Sequence, residues 1–233
     1  PEEAVKWYKK AGKQGYPLGQ YFLATTLLNG TGIEKDELEA VKWLRKAAES
    51  GLSDAQCELG ECLEAGTGVA EDHEEALKWY KLASEQDSPR GHRLLAVCHG
   101  EWDNKNFQLM QKAAEAEDSQ AQDWLGDMYR DGREGGYPVE IDIIESAKWY
   151  MKAIDQENWI AMESLADLLE ENGDQLKSVS PNPYAQALKL RERLATENNN
   201  SHHQYSLGLK YLTGDKVKED KNKAEHWFCI AAE

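Results

Sequence analysis

The stretch AVKWLRKAAESG, Ala40 to Gly51, decides the fold because the chain contains it in several copies. Ala40, Trp43, Leu44 and Ala47 follow one another at spacings of three and one, which places them on one face of an amphipathic helix. We expect the tryptophan and the residue after it to fill the space against a neighbouring helix. Close variants of the stretch begin at Ala4 (AVKWYKKAGKQG), Ala76 (ALKWYKLASEQD) and Ser146 (SAKWYMKAIDQE).

Two sequence markers recur along the chain with the same changes of spacing. The first marker is the tryptophan position, whose successive steps are 36, 36, 30, 40, 41 and 37 residues. The second is leucine followed by glycine or alanine, with steps of 36, 36, 30, 40 and 42 residues. Two markers that lengthen and shorten together indicate a helical repeat array. The first marker falls at Trp7, Trp43, Trp79, Leu109, Trp149, Leu190 and Trp227, and the second begins at Leu23, Leu59, Leu95, Leu125, Leu165 and Leu207.

Each repeat is predicted to contain two helices, which we call helix A and helix B. Helix A carries the Leu-Gly/Ala marker, and in the second repeat Ala55, Leu59 and Leu63 lie on one face at spacings of four. A glycine such as Gly60 inside a helix costs about 1 kcal/mol relative to alanine. We therefore expect a neighbouring helix to approach so closely at Gly60 that a side chain would block it.

The connection between helix A and helix B has a signature of its own. GTGIEKDELEA (Gly30–Ala40) matches GTGVAEDHEEA (Gly66–Ala76), and glycines supply turn conformations that other residues resist. An aspartate four residues before the helix B alanine, with glutamate three residues after it, indicates a capping box rather than a metal ligand. We expect the longer connections, 131–142 and 172–184, to project from the array. The predicted capping aspartates are Asp36, Asp72, Asp142 and Asp220.

The spacing divides the whole chain into one repeat array. Because the first residues, PEEAVKWYKK, already read as helix B and do not begin with methionine, we expect the sequence to be a segment of a longer chain. Such arrays grow by stacking and need no single central core. The predicted divisions are an unpaired helix B at 1–13 and repeats at 14–49, 50–85, 86–115, 116–155, 156–197 and 198–233.

Charge and cysteine content restrict the partners. A net charge of −16 argues against nucleic acid or an anionic membrane as partner, because both require excess lysine and arginine. The same charge permits a basic peptide or protein. No apolar run approaches the roughly 18 residues of a membrane span, so we predict no direct membrane insertion.

The cysteines do not form a pair in each repeat, which predicts free thiols and favours a reducing compartment such as the cytoplasm. They lie at positions 57, 62, 98 and 229.

The combined pattern A-x-x-x-L-G-x-x-Y…G-T-G-V…D…E-A-x-K-W-Y-x-K-A-A resembles the Sel-one-like repeat family, a relative of the tetratricopeptide repeats. The resemblance covers nearly the whole chain and is weaker in the third and fifth repeats. It implies an all-α solenoid, a right-handed superhelix of antiparallel helix pairs with about thirteen helices. It also implies a protein-interaction function as an adaptor or scaffold.

The resemblance further implies which residues would contact a partner. In tetratricopeptide arrays exposed helix A positions line a concave groove, and these positions here are mostly acidic, with apolar residues at both ends. We therefore expect a partner with a basic segment and hydrophobic anchors. The candidate residues are Tyr21, Leu28, Asp54, Cys57, Glu61, Glu64, Arg90, Arg93, Asp123, Asp127, Arg130, Glu163, Asp167, Glu170, Tyr205, Leu209 and Leu212.

No pattern in the sequence predicts catalysis. The histidines and cysteines lack metal-ligand spacing, and Gly-Thr-Gly has no following lysine, which excludes a phosphate-binding loop. We therefore predict no enzyme activity, cofactor or metal. The alternative reading is a regulatory or scaffold subunit of envelope, polysaccharide or host-contact (virulence) machinery. That subunit would contact carbohydrate through Trp102 or Trp159, which lie outside the repeated tryptophan position.

Overall fold

The computed structural model describes residues 1–98, 100, 102–198 and 200–232. Within them the chain forms thirteen α-helices and no strand, which confirms the predicted all-α fold. Four residues lie outside the described part: 99 and 101 in the third predicted repeat, and 199 and 233 in the sixth. The helices belong to two compact units, Pro1–Ala116 and the remainder from Glu117.

The helices alternate between the predicted types. Helices B are α1, α3, α5, α7, α9, α11 and α13, and helices A are the even-numbered ones. In unit 1 the bounds are α1 Glu2–Lys13, α2 Pro17–Asn29, α3 Glu37–Glu49, α4 Ser53–Ala65, α5 His73–Ser84, α6 Pro89–Cys98 and α7 Asn104–Glu115. In unit 2 they are α8 Ser119–Asp131, α9 Ile143–Asp155, α10 Trp159–Glu171, α11 Pro183–Glu197, α12 Ser201–Thr213 and α13 Lys221–Ala231, with short 3-10 helices at Gly132–Gly135 and Gln175–Ser178.

The predicted aspartates cap the helices B that follow them. Asp36 accepts a hydrogen bond from the backbone N–H of Glu39 at 2.9 Å, and Asp72, Asp142 and Asp220 accept equivalent bonds. The glutamate of the predicted capping box bonds a tryptophan and not the backbone of the cap residue. The carboxylate of Glu39 accepts the indole N–H of Trp43 at 3.1 Å. The glutamate therefore orients the tryptophan instead of closing the box.

The glycine of the Leu-Gly marker lies against an aromatic ring of helix B. A Cβ added to Gly60 would come within 2.8 Å of Cδ1 of Tyr80, and one added to Gly208 within 2.6 Å of Cε1 of Phe228. Gly126 stands in the same relation to Tyr150. These contacts confirm the expected close approach, and they show that the neighbour is the residue after the tryptophan.

That residue lies deeper in the core than the tryptophan in three of the repeated helices. Tyr80 is fully buried, as is Leu44 in the first repeat. Trp43 and Trp79 are only partly buried and pack at the edge of the core, whereas Trp7 is 59% exposed. The expectation that the tryptophans fill the core is therefore corrected for these three. It holds for Trp149, which is only 8% exposed and has a buried indole nitrogen.

In three repeats a buried glutamine joins helix A to the helix B before it. The Nε2 of Gln20 donates to the carbonyl of Gly12 at 3.3 Å, and the Nε2 of Gln56 donates to that of Ala48 at 3.2 Å. In unit 2, Gln204 makes the same bond to Ala195 at 3.1 Å. Carbonyl groups in the last turn of a helix lack partners within the regular helix, and at these three junctions the glutamine supplies a donor. The carbonyls of Gly12 and Ala48 also accept a backbone N–H from the turn that follows.

The longer connection at 172–184 does not simply project, contrary to the expectation. Its 3-10 helix places Leu176 in the core of unit 2 with no exposed surface, beside Ala187 and Leu169. Val179 packs against the same cluster. Packing Leu176 and Val179 against this cluster removes apolar surface from water, which holds the connection against the helices.

Candidate partner-binding surfaces

Each unit has a surface formed by its helices A, which carries the predicted groove residues. We call the side of α2, α4 and α6 on which they lie the A-surface of unit 1, and that of α8, α10 and α12 the A-surface of unit 2. Successive helices A are linked by side-chain contacts. Arg90 of α6 bonds Glu58 of α4, and Lys210 of α12 bonds Glu170 of α10.

Two of the predicted groove residues are buried and cannot contact a partner. Cys57 has no exposed surface, and Asp123 is 5% exposed. Both stand two residues before the Leu-Gly marker. In unit 1 this position faces the next helix A, since Ser88 and Arg90 act on the Cys57 thiol, whose pKa burial raises to about 11. Their inclusion in the groove was therefore wrong.

Several predicted carboxylates of unit 1 already have partners within the chain. Arg90 forms ion pairs with Glu58 at 2.9 Å and with Glu61, and these two carboxylates raise its pKa although burial opposes them. Glu64 accepts the hydroxyl of Tyr80 at 2.9 Å. Asp54 is exposed and forms no ion pair with the residues that the structure describes.

Unit 2 contains a denser ion-pair network. Glu170 lies 3.1 Å from Arg191 and 2.7 Å from Lys210, and all three side chains are largely buried. Burial alone would raise the pKa of Glu170, but hydrogen bonds from Lys210 and Arg191 outweigh it and lower that pKa. Asp167 pairs with the same Arg191. This network holds α10, α11 and α12 together, so these carboxylates have a structural role.

A second group of charges in unit 2 surrounds the buried Asp123. Asp127 lies 3.0 Å from Arg130 and accepts the hydroxyl of Tyr150 at 2.7 Å. The Oδ1 atom of Asp123 is buried and has no hydrogen-bond partner among the described residues. Burial, followed by repulsion from Asp127, raises the pKa of Asp123 to about 7, with Arg130 acting in the opposite direction.

Other predicted positions remain open to solvent. On α12, Tyr205 is 53% exposed, and Leu209 and Leu212 are exposed beside it. On α10, Glu163 keeps part of its side chain exposed and lies 3.9 Å from His203. Of the remaining candidates, Tyr21 and Leu28 are half-buried and pack partly against the core of unit 1, and Arg93 is half-buried.

Two further groove positions carry exposed apolar residues. Ile160, one turn before Glu163 on α10, is 66% exposed. It lies at the helix position of Asp54, five residues before the marker, and Leu18 occupies that position in α2 with 55% exposure. The spacing rule that selects Asp54 selects both residues.

The described residues contain no cluster of histidine, cysteine or acidic side chains able to hold a metal ion. All four cysteines are free thiols. Trp159 is half-buried, with the guanidinium carbon of Arg193 5.6 Å from its ring centre, and Trp102 is half-buried. The alternative carbohydrate-binding role stays a prediction. No helix in the described ranges has the length and apolar character that crossing a membrane requires.

Solved structures similar to this chain include two proteins that share more than 25% sequence identity with it. The protective antigen c5321 of uropathogenic Escherichia coli, which displays an SLR fold, matches 98% of this chain with a TM-score of 0.77 and 26% identity. This chain spans only 48% of that protein. A Sel1 repeat protein of Oxalobacter formigenes matches 94% of the chain and 86% of its own length, with a TM-score of 0.71 and 28% identity.

A more distant likeness concerns the fold alone. The immunity protein Pa5087 of Pseudomonas aeruginosa matches the whole chain and 82% of its own length, with a TM-score of 0.57 and 16% identity. No curated protein sequence matches the chain. The Sel1 repeat pattern itself matches most of the chain, at residues 1–16, 17–52, 53–88, 105–118, 119–158 and 204–233. With the repeated markers and helix pairs already described, this match shows that the chain belongs to the Sel1 repeat family.

Proposed function

We propose that this chain is a non-catalytic adaptor that binds a protein partner on the A-surface of unit 2. The partner contributes an amphipathic segment with basic side chains and apolar anchors. Sel1 repeats are generally protein-interaction scaffolds, and this proposal names the surface and the chemistry of the partner. The site is narrower than the full groove expected from the sequence.

The exposed row along α10 carries the proposal. Ile160, Glu163 and Asp167 are spaced by three and four residues, so they lie on one face of the helix. Asp167 pairs with Arg191, but 52% of its side chain stays exposed. In unit 2, α10 is the middle one of the three helices A, between α8 and α12 in chain order. Ile160 is therefore 66% exposed even though other helices A of its unit precede and follow α10. Leu209 on α12 adds a second exposed apolar group. An apolar pair bordered by carboxylates is complementary to a basic amphipathic segment.

The ion-pair network gives this surface a rigid base. Because Arg191 and Lys210 fix Glu170, α10 and α12 keep their spacing without a partner. A preorganised surface loses less conformational entropy on binding than a mobile one. The net charge of −16 adds long-range attraction for a basic segment, and this attraction weakens as salt rises.

The test uses a fluorescent 18-residue peptide of leucine and lysine with helical periodicity, and a leucine–glutamate peptide of the same pattern as the control ligand. Anisotropy should show binding of the basic peptide that weakens with salt, and little binding of the acidic one. Ile160→Ser and Glu163→Gln should each weaken binding about fivefold or more, because interface residues at the centre of a contact contribute 1 kcal/mol or more.

Two matched variants on helix B serve as controls. Leu82→Ser changes an exposed leucine of α5, and Glu85→Gln changes an exposed glutamate at the end of that helix. Both should bind the basic peptide as the unchanged protein does. Equal losses in the α5 and α10 variants, or binding of the acidic peptide with the same affinity, would contradict the proposal.

A further inference from the structure

The last A-to-B connection carries a substitution beside a cleft of unit 2. In the first two repeats the second glycine of Gly-Thr-Gly, Gly32 or Gly68, has a positive φ and lies against the first turn of the preceding helix B. A Cβ on Gly68 would come within 2.5 Å of the carbonyl carbon of Glu37. These connections therefore pack tightly because the residue has no side chain.

In the sixth repeat a lysine occupies this position. Lys216 keeps the positive φ, 58°, although it carries a Cβ. The residue opposite it, in the register of Glu37, is Tyr184 of α11. Because the lysine side chain prevents the close contact, a gap remains between the connection and the first turns of α11.

This gap is a cleft of about 580 Å³, a volume within the range of small-molecule sites. Its walls combine apolar and cationic side chains. Leu188 and Val217 supply apolar surface, and the rings of Tyr184 and Tyr211 add to it. The lining residues are Asn182, Tyr184, Ala185, Leu188, Tyr211, Lys216, Val217, Lys218, Glu219, Asp220 and Lys223.

The charges of the cleft favour an anion. Its two carboxylates have partners: Asp220 caps α13 through the N–H of Lys223, and Glu219 lies 3.6 Å from Lys221. The ammonium of Lys223 donates to the hydroxyl of Tyr211 at 3.2 Å and lies 4.0 Å from a carboxylate oxygen of Glu192. Lys218 is exposed and forms no ion pair with any residue in the described ranges. The cleft thus presents an unpaired cation in a strongly acidic chain.

The ammonium of Lys216 is bonded outside the cleft. It donates to the backbone carbonyl of Glu170, at the end of α10, at 2.6 Å. Its aliphatic stem therefore forms the wall while its charge is used elsewhere. The residue acts as a spacer, and the unpaired Lys218 is left to meet a ligand, with Lys223 as a second donor in the cleft wall.

We propose that this cleft binds a small organic carboxylate, with its apolar body against Leu188 and Val217 and its oxygens towards Lys218 and Lys223. A carboxylate accepts hydrogen bonds from ammonium groups, and such charge-assisted bonds are stronger than neutral ones. An aromatic or branched aliphatic body suits the two tyrosine rings and the apolar wall. The cleft is separate from the A-surface of unit 2, so ligand binding there does not depend on the proposed function.

The experiment titrates the isotopically labelled protein with benzoate and follows backbone resonances. Benzylamine, its cationic counterpart, and inorganic phosphate, which lacks the apolar body, serve as control ligands. We expect saturable shifts confined to residues 182–188 and 211–223 with benzoate, and none of comparable affinity with benzylamine. Phosphate should bind at least tenfold more weakly, and phosphate binding equal to benzoate would refute the role of the apolar wall.

Three variants test the geometry. Lys216→Gly restores the glycine of the first two repeats, should close the cleft and abolish benzoate binding, and should raise the thermal midpoint because glycine adopts a positive φ without strain. Lys218→Gln should weaken binding about tenfold, and Lys189→Gln, an exposed lysine of α11 outside the cleft, should leave it unchanged. Undiminished binding by a folded Lys216→Gly protein would overturn the proposal.

Discussion

Replacing Gly60 by alanine should destabilise the protein, although alanine is the better helix former. Helix propensity alone predicts a gain of about 1 kcal/mol. The added Cβ, however, would lie 2.8 Å from Cδ1 and 2.9 Å from Cζ of Tyr80. That ring is fully buried and its hydroxyl is bonded to Glu64, so it cannot move aside freely. Overpacking of this kind costs about 1–3 kcal/mol, and displacement of the ring would also weaken the hydroxyl bond by about 1 kcal/mol.

The expected net effect is a loss of about 1–3 kcal/mol in the free energy of unfolding, measured by urea denaturation with circular dichroism. Gly12→Ala is the matched control, because a Cβ there would meet Gln20 at an ordinary 3.5 Å. It should be neutral or stabilising by up to about 1 kcal/mol. Both glycines are buried in a helix, but only Gly60 faces an aromatic ring, so the comparison reports the effect of that ring.

A double-mutant cycle sharpens this prediction. The first repeat pairs Ala24 with Leu44, so Tyr80→Leu should accommodate alanine at position 60. The double variant should be more stable than the sum of the two single effects implies, by about 1 kcal/mol or more. Additive effects, or a Gly60→Ala protein as stable as Gly12→Ala, would refute the reasoning.

Three further changes have defined outcomes. Gln56→Met, which copies Met162 of the fifth repeat, should cost about 1 kcal/mol in urea denaturation because the carbonyl of Ala48 loses one of its two donors. Asp142→Ala removes the cap of α9 and should cost about 1 kcal/mol by the same measurement. The folded pKa of Asp123, about 7, lies above the 3.8 of a free aspartate, so the folded state holds a proton that the unfolded chain has released. Stability should therefore fall as pH rises from about 4 to about 7, and Asp123→Asn should reduce this fall.

The fold could be predicted from the sequence because every repeat carries the same local signals. The aspartate caps, the alanine–tryptophan spacing and the glycine of the Leu-Gly marker all have physical causes that act within a few residues. The marker also indicated a close helix contact. It could not show that the contacting residue is Tyr80 and not Trp79, because both lie near the same helix face and only the packing angle separates them.

The candidate site was less predictable, since exposure depends on neighbours distant in sequence. Asp123 and Cys57 look exposed when their helices are considered alone, but both are buried in the folded units. Likewise, the charge of Glu170 looked available, but Arg191 and Lys210 lie more than twenty residues away and neutralise it. A count of acidic residues therefore overstated the free negative charge of the groove.

The most direct test of the proposed docking surface follows the nuclear resonances of the labelled protein during titration with the leucine–lysine peptide. The account predicts saturable shifts concentrated on the exposed faces of α10 and α12, around Ile160 and Leu209, and their loss in Ile160→Ser. Exposed substitutions of this kind should leave the unfolding free energy within about 0.5 kcal/mol, so a loss of binding would not reflect unfolding. Shifts centred on the helices B, or an unchanged titration of Ile160→Ser, would contradict the account.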